Sequence, residues 1–185
     1  MLARTKIHSK RGVQGLNKAT KLLGLGVTLI MCIGLFAGCG GNKNFVVGYN
    51  KMGSFGSKEI SDSEITYTLE VVDSSQTLKD LCDEWGNPAF QESSELYTNE
   101  LSQKIRSYNE VFFSDKILVV YSFQRGHSKE TQIVGIEVEG AKLIINARYV
   151  TKKGTFTDEA FNWIMLIEIN KSDATGVTTA QIKYK

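Results

Sequence analysis

A nucleophile, an imidazole and a carboxylate in register make a hydrolase, and beyond residue 38 the chain offers a single imidazole, His127. Any Ser-His-acid relay must use it. Its neighbours Arg125, Gly126, Ser128 and Lys129 form a polar loop without the strand-turn-helix elbow that presents a nucleophile. Ser128 is adjacent in sequence and badly placed to be its partner. A thiol mechanism would need Cys82 together with the same histidine, but Cys82 falls on the apolar stripe of an expected helix, where a buried structural thiol is the natural reading. The chain carries 20 Asp and Glu, so carboxylate pairs of the kind that hydrolyse glycosides arise by chance and no spacing selects one. The most distinctive polar-aromatic cluster is Asp158-Glu159 just ahead of Phe161-Asn162-Trp163. Arg125, His127, Asp158 and Trp163 are therefore the candidates for contact with a ligand or partner. No residue is assigned to catalysis, to a cofactor or to a metal. Asp80, Asp83 and Glu84 look like a metal cluster, but they fall on the outward side of a helix and suit a solvated face.

The address of these groups is written at the start of the chain. Residues 1–21 hold six basic residues and no acid, and residues 22–37 are uncharged and apolar. Ala37 and Gly38 follow as the small residues a peptidase needs before its cut. This is the order of a secretory signal. The apolar run is shorter than the ~20 residues of a membrane-spanning helix, and its glycines each cost a helix about 1 kcal/mol against alanine; an uncleaved anchor and an ordinary secreted chain are the alternatives. The run Leu35-Phe36-Ala37-Gly38-Cys39 resembles the lipobox of bacterial lipoproteins. The resemblance implies cleavage between Gly38 and Cys39, diacylglycerol on the Cys39 thiol, and a protein held on the outer face of the cell membrane. Phe36 stands where that motif usually has Leu, Val or Ile.

Loss of residues 1–38 would remove six of the 22 Lys and Arg, leaving 16 against 20 Asp and Glu, a net charge of −4. Nucleic acid is excluded as an expected partner on that ground. The remaining length suits one domain with a core of its own. Of three cysteines, Cys32 would leave with the signal and Cys39 would carry lipid, so Cys82 has no thiol to pair with.

The elements that must position the candidates follow from period. Residues 39–63, rich in Gly, Ser and Asn, read as a flexible tether, within which Phe45, Val46, Val47 and Tyr49 suit a short docking strand. A single domain is expected over 64–185. Ile65, Tyr67, Leu69 and Val71 alternate as a half-buried strand. Leu78, Leu81, Cys82 and Trp85 form a helical stripe capped by Ser75 or Thr77 and ended by Gly86-Asn87-Pro88. A second helix is expected over roughly 94–108. The rest reads as sheet: 117–123, 131–139, 142–150, 163–169 and 178–185, with a hairpin at Gly140-Ala141. The fold class is α+β, a mainly antiparallel sheet of about five to six strands with two helices in the N-terminal half of the domain.

Three core segments, YNEVFFSDKILVVY (108–121), QIVGIEVEG (132–140) and WIMLIEINK (163–171), give a second resemblance, to the PrcB-like small lipoproteins of Gram-positive anaerobes. It covers residues 108–170 and implies an antiparallel domain that binds or stabilises a protein partner; it carries no functional residue across. The leading expectation is a membrane-anchored, non-catalytic binding or accessory module. A small cell-wall or glycan hydrolase and a protease inhibitor or protease-complex subunit are the alternatives. A transporter's solute-binding protein needs two domains around a cleft, and one is expected here.

Overall fold

The computed structural model describes residues 43–56, 67–156 and 159–185. The expected signal (residues 1–38), Cys39 and Asp158 lie outside the described residues. Three layers stack: helices, a four-stranded sheet, and a three-stranded sheet. The fold is α+β with mostly antiparallel strands, and the helices lie in the N-terminal half.

The first sheet has the order β1-β6-β3-β2, built from β1 (Phe45–Met52), β6 (Ala160–Asn170), β3 (Lys116–Gly126) and β2 (Tyr67–Val72), every neighbour antiparallel. The second has the order β4-β5-β7, built from β4 (Lys129–Glu139), β5 (Lys142–Thr151) and β7 (Thr179–Tyr184). The expected hairpin joins β4 to β5 antiparallel, whereas β5 and β7 run parallel. Among the described residues, seven strands in two sheets thus replace the expected single sheet of five to six. The division escapes the sequence because β3 and β6 are buried on both faces, and period two vanishes from a strand buried on both sides. Leu118, Val120, Ile164 and Leu166 face the helices, while Val119, Tyr121, Met165 and Ile167 face the second sheet. The chain changes sheet at His127-Ser128, where a β3–β4 hairpin would otherwise be inferred.

The docking strand expected around Phe45 to Tyr49 is present, and the rest of the described tether is corrected. Phe45–Met52 is an edge strand on β6, the backbone N–H of Lys43 donates to the carbonyl of Ile136, and Phe55 is wholly buried against Trp85. The glycines that suggested flexibility serve close approach instead. A Cβ on Gly48 would collide with the carboxylate of Glu168 and the hydroxyl of Tyr108. Gly56 has φ +107°, and a Cβ there would run into the main-chain carbonyl of Trp85. Gly56→Ala therefore combines backbone strain with a clash that no rotamer relieves, and is expected to destabilise by about 2 kcal/mol or more. Urea denaturation checks it; a change under about 0.5 kcal/mol would mean that the loop does not seal this core.

The helical layer rests on α1 (Ser75–Glu84) and α2 (Glu100–Ser107). Leu78, Leu81, Cys82 and Trp85 are buried, as their spacing predicts, but the cap is Ser74, whose hydroxyl accepts from the N–H of Thr77. The expected helix over 94–108 is shorter. Asn99 caps it by accepting from the N–H of Ser102, and residues 91–99 form turns. Tyr97 leaves the helix face and lies 3.7 Å from the guanidinium of Arg106. Phe113 closes this core from the short helix α3 (Phe112–Asp115).

Candidate functional site

One end of the two-sheet layer gathers most of the chemistry. Register explains it: Arg125 pairs with Phe161, Phe123 with Trp163, and Met52 with Trp163 from the other side. Thr131 near the start of β4, Tyr149 near the end of β5 and Tyr184 at the end of β7 come to the same rim from the second sheet. Arg125, His127 and Trp163, read from the sequence as separate candidates, meet here. Asp158, the fourth, lies outside the described residues; its neighbour Glu159 is exposed at this end.

Arg125 is the centre of the rim. Its guanidinium carbon lies 5.0 Å from the ring centre of Phe123, 5.1 Å from Trp163 and 5.9 Å from Tyr149, within cation–π range of all three. Nη1 donates to the hydroxyl of Thr131, and the Trp163 indole N–H donates to the Arg125 carbonyl at 3.1 Å. Nε and Nη2 are buried and have no partner among the described residues. Burial lowers the guanidinium's pKa, opposed by the neighbouring tyrosines.

His127 is held by stacking, 4.2 Å from the ring of Phe161, with the Trp163 ring edge-on at 6.0 Å and the Met52 sulfur against its Nε2. Lys129 lies over Tyr149 and Lys152 over Trp163. Tyr149 and Tyr184 stack on each other at 4.3 Å, and the hydroxyls of Tyr121 and Tyr184 are 2.9 Å apart. Burial raises the phenol of Tyr121, helped by its contact with Tyr184, and pushes Tyr149 up to about 12. Donors, cations and flat apolar faces stand together in one place.

The thiol and the imidazole are not brought together. Cys82 belongs to the helix-side core and the first sheet stands between it and His127. Burial, with the charge of Asp83 adding to it, pushes the Cys82 thiol up to about 12, so it is a poor nucleophile.

A second polar cluster was not anticipated. Glu168 extends from β6 on the helix-facing side and accepts from Lys104 (3.2 Å), Lys116 (3.4 Å) and the hydroxyl of Tyr108 (3.1 Å). The signal for it was present, because Glu168 interrupts the inward row Ile164, Leu166, Glu168 in an otherwise apolar strand. With both carboxylate oxygens engaged, this cluster ties α2, β3 and β6 together rather than offering a free acid. No group of three or more His, Cys, Asp or Glu among the described residues is placed to hold a metal ion, and no described helix is long and apolar enough to cross a membrane. Set against protein-family models, curated proteins and solved structures, the chain matches none of them.

Proposed function

We propose that the protein is a lipid-anchored bacterial module on the outer face of the cell membrane, acting by binding rather than by catalysis, and that its aromatic and cationic rim is the surface offered to a protein partner. The observation that carries the reading is the convergence of Arg125, His127 and Trp163, 38 residues apart at the widest, on one rim that the fold has no evident need to make cationic. Arg, Tyr, Trp and Met are the side chains that binding surfaces favour. Met52, Tyr67, Tyr149 and Tyr184 are all exposed at this end.

The lipobox adds an orientation. Three residues separate Cys39 from Lys43, which is tied to Ile136, so the four steps of this leash reach at most about 14 Å. A lipid on Cys39 then keeps the start of β1 near the bilayer. The eight residues of β1 run about 24 Å from there to the rim, which faces outward. Two measurements test this. Radiolabelled palmitate fed to expressing cells should label the chain and leave Cys39→Ala unlabelled and released; label surviving that change would remove the anchor. A photo-crosslinker at Tyr149 should trap a partner that the same crosslinker at Val111 does not. Equal trapping at both, or trapping at Val111 alone, would overturn the rim as the binding surface.

A further inference from the structure

We propose that the rim receives an acidic peptide segment, one of whose carboxylates is bound by the Nε and Nη2 edge of Arg125. This rests on the rim being the binding surface and names the chemistry of its partner.

The argument begins with the two orphaned donors. Nη1 of Arg125 is satisfied by Thr131, but Nε and Nη2 are buried with no acceptor among the described residues. Buried donors on a charged group are costly to leave unpaired. The rings of Phe123, Trp163 and Tyr149 fix the plane of the guanidinium and compensate part of its charge, yet a ring face is no substitute for two in-plane acceptors. Nε and Nη2 are the parallel pair that a carboxylate matches with both oxygens. The remaining contacts hold the fork in place: Thr131 grips its far nitrogen and Trp163 its main chain. Entry needs one ring to move. Tyr149 is 48% exposed and lies face to face on Tyr184, itself 37% exposed, so of the three rings it is the one whose rotamer can change toward solvent.

The surroundings favour acid and favour peptide. Lys129 and Lys152 flank the fork, each over one of its rings; Glu130, 4.0 Å from Lys152 and close enough to act on Arg125, and exposed Glu159 are described acids at this end, which Arg125, Lys129 and Lys152 outnumber. Beyond Cys39 the chain as a whole is net acidic, so a cationic end is a local departure that selects an anion. Exposed Met52 and Tyr67 offer apolar contact on either side, which an isolated inorganic anion would not use.

The probe is hexaglutamate, titrated into the full chain labelled with nitrogen-15 in detergent, with hexalysine and sulfate as separate arms. Hexaglutamate should shift the Arg125 Nε–H and the Trp163 indole N–H resonances, more weakly as salt rises, and hexalysine should not. Arg125→Lys keeps the charge and loses the fork, and should weaken the peptide about tenfold. Lys129→Ala with Lys152→Ala leaves Arg125 intact and should weaken it about threefold. Resonances unmoved by millimolar hexaglutamate, or an unchanged affinity in Arg125→Lys, would overturn the proposal. So would sulfate binding as tightly as the peptide. The crosslinking comparison at Tyr149 and Val111 reads the rim independently: a partner trapped at Tyr149 with no hexaglutamate effect rejects the acidic ligand alone, and trapping at Val111 rejects the rim.

Discussion

Leu166→Ala should cost about 3 kcal/mol of stability, in the range of about 2–5 kcal/mol for emptying a well-packed leucine site. Leu166 has no exposed surface and sits on β6, the strand hydrogen-bonded to both β1 and β3. Its side chain belongs to the helix-facing core with Leu78, Ile105, Leu118 and Val120. The strand cannot shift to fill the space, because its alternate residues Met165 and Ile167 are locked into the core on the opposite face. Each kcal/mol is worth roughly 2–4 °C in melting temperature at this size, so a drop of about 6–12 °C is expected. Urea unfolding followed by tryptophan emission is the direct measurement, since Trp85 reports the same core. A loss below about 1 kcal/mol would mean that the helices are loosely laid on the sheet, not packed into it.

That β6 carries two cores is what the sequence concealed. The run 163–169 announces burial, but a run apolar on both faces does not say what lies on each side. The same holds for β3. Elements with one wet face were legible: the stripe of α1, the alternation of β2 and the β4–β5 hairpin follow from period and turn chemistry. Composition misled in the segment before residue 57, where glycine read as slack. Gly48 and Gly56 are glycines because Glu168, Tyr108 and Trp85 come too close for a Cβ, and contacts more than 25 residues away leave no local trace.

The rim was legible in pieces. A lone histidine, an arginine and an aromatic strand start were visible as unusual residues, but their meeting depends on β3 and β6 being paired in the register Arg125 to Phe161. Tyr149, Tyr184 and Thr131 were invisible as site residues, since a tyrosine near a strand end looks like ordinary edge packing. Glu168 was readable as an acid in an apolar strand, though its partners Lys104 and Lys116 were not.

The fold should also fail in alkali, and the reason lies in its buried acids of high pKa. Burial raises the Cys82 thiol to about 12, from an ordinary 9.0 in the unfolded chain. Burial, and then the charge of Glu168, raises the Tyr108 phenol above its ordinary 10.0. Burial and the Tyr184 hydroxyl do the same for Tyr121. Above pH 9 the unfolded chain sheds the Cys82 proton while the folded chain keeps it, so the folded state binds more protons and stability falls as pH rises. The slope is about 1.4 kcal/mol per pH unit for one such group. From pH 10 the two tyrosines add to it. Between pH 8 and pH 11 the loss is then roughly 5 kcal/mol, comparable with the whole stability of many domains. Urea titrations at stepped pH read it directly. Cys82→Ala should flatten the curve between pH 9 and 10, where the thiol alone releases its proton on unfolding, and Tyr108→Phe should reduce the slope only above pH 10. A stability flat from pH 8 to 11 would show that the thiol and phenols meet water in the folded protein. Loss with an unaltered slope in Cys82→Ala would move the cause from the thiol to the phenols of Tyr108 and Tyr121.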